Sequence, residues 1–281
     1  MKPHFLIIDG YPKESRNQLE AAGMTLAWQL YANMLQRFLP DAEFRVWLPS
    51  DTTELPDAIG PEGFCGILWT GCNLTIYHVH EERVTCQIDF AKQAYTVGTP
   101  SFGSCWGIQM ATVAAGGEVR ANPRGREMGL ARKIHITTDG QNHPMMRNKP
   151  SVYNAFISHE DEVVSLPKDA TFLATNDFSR VQAIAVSHKK GNFWATQYHP
   201  EYNLYEMACL ILAREQKLVP EGFFQGHDDL VHFADRLRSL HQNPQRKDLR
   251  WQLDIDDDVI SADIRQQEFK NWLETLVLPR L

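Results

Sequence analysis

Neither a long apolar run nor a surplus of basic residues is present. Without roughly 18 consecutive apolar residues, no membrane-spanning helix is expected. Lys and Arg number 28 against 35 Asp and Glu, a formal charge of −7, so nothing points to nucleic acid as a partner. There is no Gly-rich phosphate loop, no internal repeat and no low-complexity segment. Met1 to Asp9 lacks the basic segment, long apolar run and cleavage site of a signal peptide and reads as a strand. Cysteines number five, an odd count without a secretion signal, so reduced thiols in a cytoplasmic protein are expected. The acidic run Asp254 to Asp258 has Val259 and Arg265 where a calcium loop needs Gly and Glu, and it reads as a solvated turn. His78 and His80 followed by Glu81 and Glu82 are too sparse for a metal cluster and read as structural or surface positions.

What is present is a chain of 281 residues with 43% hydrophobic content, enough for one large α/β domain and an extension. Its most informative stretch is Gly103-Ser104-Cys105-Trp106-Gly107. The run Val97 to Phe102 leads in, and a helical pattern, Ile108 to Ala115, leads out to Gly116 and Gly117. Strand, sharp turn and helix make a nucleophile elbow. Flanking glycines let strand and helix cross closely, and the helix N-terminus favours thiolate at Cys105.

Residues 197–201, Gln-Tyr-His-Pro-Glu, supply a counterpart after the strand-like run Asn192 to Thr196. His199 suits the role of base toward the thiol and acid toward a leaving amine. Glu201, two residues on, would orient the imidazole. Gln109 lies one helical turn after Cys105 and shares its face. Ser158 and Asp161 either cap a turn or touch substrate.

Strand patterns at Phe5–Ile8, Phe44–Leu48 and Phe64–Trp69 alternate with helical ones. One helix opens at a Ser15–Gln18 capping box and carries Leu19, Leu26, Leu30 and Phe38 to Pro40; another covers Glu82–Tyr95. This order predicts a mostly parallel central sheet with helices on both faces and a site at the strand carboxyl ends. Leu130–Thr137, Val152–Ser158, Thr171–Thr175 and Val181–Val186 extend the sheet in mixed fashion, and Tyr202–Lys217 reads as helix. Residues 1–217 are read as one domain, and 218–281 as a C-terminal helical extension with amphipathic stretches at Asp228–His241 and Ile260–Leu278 around a polar linker, His241–Arg250.

Across about residues 4–215 the chain resembles the class I, triad-type glutamine amidotransferase family, and is similar to the glutaminase part of GMP synthetase. Thr70-Gly71-Cys72-Asn73 with Tyr77 resembles Ser-Gly-Gly-Pro, and Cys105-Trp106-Gly107-Ile108-Gln109 matches Cys-x-Gly-x-Gln. Arg126-Glu127-Met128-Gly129 resembles Arg-Glu-Tyr-Gly, and the block Ser158 to Val163 resembles Ser-His-Gly-Asp-x-Val. Tyr198-His199-Pro200-Glu201 matches the last triad block. The resemblance implies a flavodoxin-like fold and a triad of Cys105, His199 and Glu201. It implies oxyanion donors at Gly71, Cys72 and Trp106, and substrate contacts from Gln109, Ser158, His159 and Asp161. It implies no cofactor and no metal.

Two positions depart from the family: Cys72 replaces a small residue in the oxyanion loop, and Glu160 replaces a glycine beside the segment expected to bind the substrate's α-groups. The implied activity is hydrolysis of the glutamine γ-amide through a cysteine thioester, with ammonia passed to a separate synthetase subunit. A stand-alone hydrolase or peptidase of γ-glutamyl compounds and a non-enzymatic binding protein are the alternatives. A homo-oligomer is compatible with each, and none calls for a membrane.

Overall fold

The run His4–Ile8 is buried from Phe5 onward, as a strand covered on both faces demands. In the computed structural model, which describes residues 2–281, it forms β1, in parallel with β2 (Glu43–Trp47) and β3 (Gly66–Trp69). The chain continues through β4 (Ser101–Ser104), β5 (Glu118–Ala121), β6 (Glu127–Ile136), β7 (Val152–His159), β8 (Asp161–Ser165), β9 (Ala170–Thr175), β10 (Ala183–His188) and β11 (Gly191–Thr196). The main sheet runs β2-β1-β3-β4-β11-β10-β9-β6-β7. It is parallel from β2 to β11 and antiparallel beyond, as the mixed-extension reading requires. β5 and β8 form a separate antiparallel ribbon, which the short runs in the sequence did not reveal.

Helices α1 (Lys13–Ala21), α2 (Ala27–Phe38), α3 (Glu82–Val97), α4 (Trp106–Ala114), α5 (Thr138–Gln141), α6 (Leu204–Ala213), α7 (Glu215–Leu218) and α8 (His227–Gln242) complete the core. One sheet face packs Phe5, Ile7 and Phe102 against Tyr31 and Leu35 of α2 and against Phe269 and Trp272 near the C-terminus. The other packs Leu6, Ile8 and Trp69 against Ile88 of α3 and Ile108 of α4. No helix among the described residues is long and apolar enough to cross a membrane.

The expected single helix over residues 15–40 is two, separated by a turn at Gly23 (φ 83°). The first begins at Lys13, after Pro12 at the N-cap (φ −58°, ψ 149°), and the Ser15 hydroxyl does not cap it but accepts from Asn73 (2.9 Å). The Tyr202–Lys217 pattern starts at Leu204, because the Asn203 side chain caps it by accepting from Glu206 N–H (3.0 Å). Past α8 the polar linker is partly helical, Lys247–Leu253, with Leu249 and Leu253 buried. The stretch Ile260–Leu278 is a series of short helical segments, Ala262–Arg265, Gln267–Trp272 and Leu273–Val277. Buried Arg265 donates to the Val259 and Ile260 carbonyls (2.7 and 2.8 Å), which end the preceding short helix Asp257–Ile260.

Candidate active site

Cys105 occupies the turn between β4 and α4 with φ 53° and ψ −91°, a region costly for any residue with a side chain. Close packing holds it there. A Cβ on Gly103 would lie 2.8 Å from the Gly107 Cα, so strand and helix meet without intervening side chains. The Cys105 N–H donates to the Thr196 carbonyl (2.8 Å) at the end of the neighbouring β11. The first N–H groups of α4, Trp106 among them, have no partner within the helix, directly after Cys105 in the chain. The Trp106 ring itself is buried, and its Nε1–H donates to Gln87 (2.9 Å).

Because β4 and β11 are parallel neighbours with Ser104 opposite Thr196, the loop after β11 arrives beside Cys105. There His199 Nδ1–H donates to Glu201 Oε1 (2.7 Å), with both side chains almost fully buried. The imidazole stacks on Tyr202 at 4.1 Å, and its backbone N–H donates to the Phe156 carbonyl (2.8 Å). Burial alone would push His199 down. The Glu201 carboxylate and a hydrogen bond with the Cys105 side chain outweigh burial and raise it to about 9. A layer the sequence did not disclose stands behind Glu201: Ser104 Oγ donates to Oε1 (3.0 Å) and Tyr31 OH donates to Ser104 Oγ (2.8 Å). Tyr31 lies within the apolar face of α2, so its role has no signal in the sequence pattern.

The loop of Gly71 and Cys72 closes over the pair. A Cβ on Gly71 would lie 2.6 Å from His199 Cε1, so the backbone approaches the imidazole where only glycine fits. The Cys72 sulfur accepts from Leu74 N–H (3.1 Å). Burial pushes the Cys72 thiol well up, and Cys86 up to about 11, so neither competes as a thiolate near neutrality.

A cleft of about 570 Å³ opens beside Cys105 and Cys72 and is lined by Gln109, Ser158, His159, Glu160, Asp161 and Arg214, among others. Gln109 is buried and its Oε1 has no partner among the described residues, so an acceptor awaits a donor there. The Ser158 carbonyl faces Cys105 Sγ (3.7 Å), and its hydroxyl accepts from Arg214 (2.5 Å). Asp161 accepts from Tyr77 (3.1 Å) across the cleft, and burial raises its carboxyl. His159 is placed differently. Its ring nitrogens meet the Asp161 carbonyl (2.8 Å) and Glu127 (3.0 Å), which also holds Asn176 and Gln182, so its side chain is spent on structure. Glu160 pairs with buried Arg126, which also donates to Glu221 (2.8 Å) at the cleft mouth. Arg214 and Glu221 lie beyond every family-like block, where no motif marked them. Among the described residues no group of three His, Cys, Asp or Glu could hold a metal.

Residues 77–217 match the family model for class-I glutamine amidotransferases. The chain is 31% identical over 282 residues to the gamma-glutamyl-L-1-hydroxyisopropylamide hydrolase of a Pseudomonas species, covering 99% of this chain and 94% of that enzyme. It is 34% identical over 125 residues to the glutamine-hydrolysing GMP synthase of Marinomonas sp. (strain MWYL1), which is 43% of this chain but 23% of the synthase. A glutamine amidotransferase of solved structure from Thermotoga maritima superimposes with a TM-score of 0.70 over 99% of both chains at 16% identity, a likeness of fold.

Proposed function

The chain belongs to the class I glutamine amidotransferase family, and from that premise we propose that it is a stand-alone hydrolase of γ-glutamyl amides that works through a cysteine thioester. The observation that carries the proposal is the buried Ser104–Glu201–His199–Cys105 series at the N-terminus of α4, beside a cleft. Cys105 Sγ attacks the γ-carbonyl as its proton passes to His199. The Trp106 N–H and the Gly71–Cys72 loop receive the oxyanion, an interaction worth on the order of 100-fold or more in rate. His199 gives its proton to the departing amine, leaving a γ-glutamyl thioester. Water then adds with His199 as base, and glutamate and free thiol are regenerated. Gln109, Ser158 and Asp161 are the groups offered to the glutamyl part.

Two observations favour the stand-alone hydrolase over a subunit that feeds ammonia to a synthetase. The relative matched over nearly the full length of both chains is named for an amide of a small hydroxyalkylamine. The oxyanion loop has contacts within its own chain, Asn73 to Ser15 (2.9 Å) and Leu74 N–H to the Cys72 sulfur (3.1 Å), which suit a loop ordered without a partner. The subunit reading draws on the similarity to GMP synthase. Glutamate release from glutamine and from a panel of γ-glutamyl alkylamides, hydroxyalkylamides and dipeptides decides the matter. Turnover of an amide by the purified chain is expected. Inertness across the panel, relieved by adding a synthetase, would establish the subunit instead.

A further inference from the structure

Outside the cleft, a charge pair is buried where the C-terminal segment meets the sheet. Lys149, before β7, and Glu268, in the short helix Gln267–Trp272, form an ion pair of 2.8 Å with side chains 2% and 0% exposed. Glu268 Oε1 also accepts from the Tyr198 hydroxyl. That hydroxyl is 2.8 Å from the hydroxyl of Tyr153, over whose ring the Lys149 ammonium sits at 4.6 Å. Lys149 donates further to the Ile264 carbonyl (2.8 Å). Five groups from three separated stretches of chain thus converge, with the Lys149, Glu268, Tyr198 and Tyr153 side chains all buried.

A buried ion pair is a poor source of stability, since apolar residues of the same volume often serve as well or better. What a buried network can add is a well-defined placement of the groups it binds, and Glu268 binds through Oε1 alone, its Oε2 having no partner among the described residues. Here the bound group is Tyr198, next in sequence to His199. The Tyr198 ring is fully buried in the core with Phe102 and Phe269, while the His199 imidazole lies against Gly71 on the Cys105 side. The Tyr198 carbonyl accepts from Thr196 Oγ1 (2.7 Å), and the His199 N–H is tied to Phe156 (2.8 Å). The residues that carry the imidazole are therefore pinned from the core side by Glu268, which lies about 70 positions later in the chain.

We propose that Glu268, held by Lys149, is a positioning residue: through Tyr198 it sets where the His199 imidazole stands against Cys105. The inference rests on reading Cys105 and His199 as the reacting pair. It makes the C-terminal segment part of the catalytic apparatus, although it contributes no group to the cleft.

The test uses the full chain carrying Tyr198→Phe, which keeps the ring and removes both hydroxyl contacts. Alkylation of Cys105 by iodoacetamide is followed from about pH 5 to about pH 10, with Cys105→Ser as the blank, alongside the melting temperature. A thiolate paired with imidazolium reacts on the acid side, and that reactivity is expected to fall about tenfold. With a turned-over amide, kcat should fall with KM retained, since a displacement on the order of 1 Å at a reacting pair costs up to about 100-fold. Glu268→Gln should do the same, and it keeps the question open to experiment if Tyr198→Phe does not fold. A wild-type alkylation profile in either variant, whether or not the melting temperature drops, would overturn the proposal and leave a purely structural pair. Absence of acid-side reactivity in the unmodified protein would also overturn it. Because alkylation needs no substrate, failure of the γ-glutamyl reading leaves this outcome legible.

Discussion

Glu201→Gln keeps the shape of the side chain and removes its charge. In the parent protein burial works against protonation of His199, yet the Glu201 carboxylate and the contact with Cys105 carry it from 6.5 to about 9. At about 1.36 kcal/mol per pH unit, that rise is on the order of 3 kcal/mol of preference for the imidazolium. Take the charge away and the largest contribution opposing burial goes with it, so the imidazolium is less favoured and only the contact with Cys105 still works against burial. If the same preference is felt in the transition state, kcat falls by up to about 100-fold. The linkage has a definite sign. A histidine raised in the folded state adds stability that is fully present below about 6.5 and is lost as pH rises through about 9. Glutamate release gives kcat, iodoacetamide alkylation gives the thiolate profile of Cys105, and urea unfolding across that window gives the stability slope. The variant should lose turnover and acid-side alkylation, and its stability should vary less with pH than the parent's. A variant within about threefold of the parent in kcat, with the parent's alkylation profile, would refute the assignment of Glu201 as the residue that holds His199 charged.

Gly71→Ala should place a methyl group against the His199 ring, whose Cε1 would be 2.6 Å away. A kcat loss of about 100-fold with a native circular dichroism spectrum is expected, and unimpaired turnover would mean that the loop does not close on the imidazole. Glu160→Gly removes one of the two carboxylates on Arg126 at the cleft mouth. The ratio of kcat/KM for glutamine over bulkier γ-glutamyl amides should rise, and an unchanged ratio would exclude Glu160 from substrate selection. Trp272→Ala empties a fully buried site against the sheet, beside Phe5 and Phe102. It should cost about 3–5 kcal/mol of unfolding free energy by denaturant titration, whereas a loss under about 1 kcal/mol would mean that the C-terminal segment is loosely attached.

Local chemistry made the elbow and the His-Pro-Glu turn readable. A cysteine between small residues, with a strand before and a helix after, has few other uses, and a histidine two places from a carboxylate at a strand end is equally plain. Alternation of apolar runs also foretold the parallel half of the sheet, because strands buried on both faces must be apolar throughout. The short ribbon of β5 and β8 escaped, since four or five residues carry too little periodicity to stand out. His159 sat in a motif block, yet only packing turned its ring toward Glu127. Tyr31, Arg214 and Glu268 were out of reach for a single reason. Each acts on a residue far away along the chain, Tyr31 through Ser104, Arg214 on Ser158 and Glu268 on Tyr198. Side-chain type and local spacing are properties of the sequence by itself. Which distant groups share a dry interior, and so must satisfy one another's charges and hydrogen bonds, is decided only when β4 and β11 pair and the C-terminal segment packs down on the sheet.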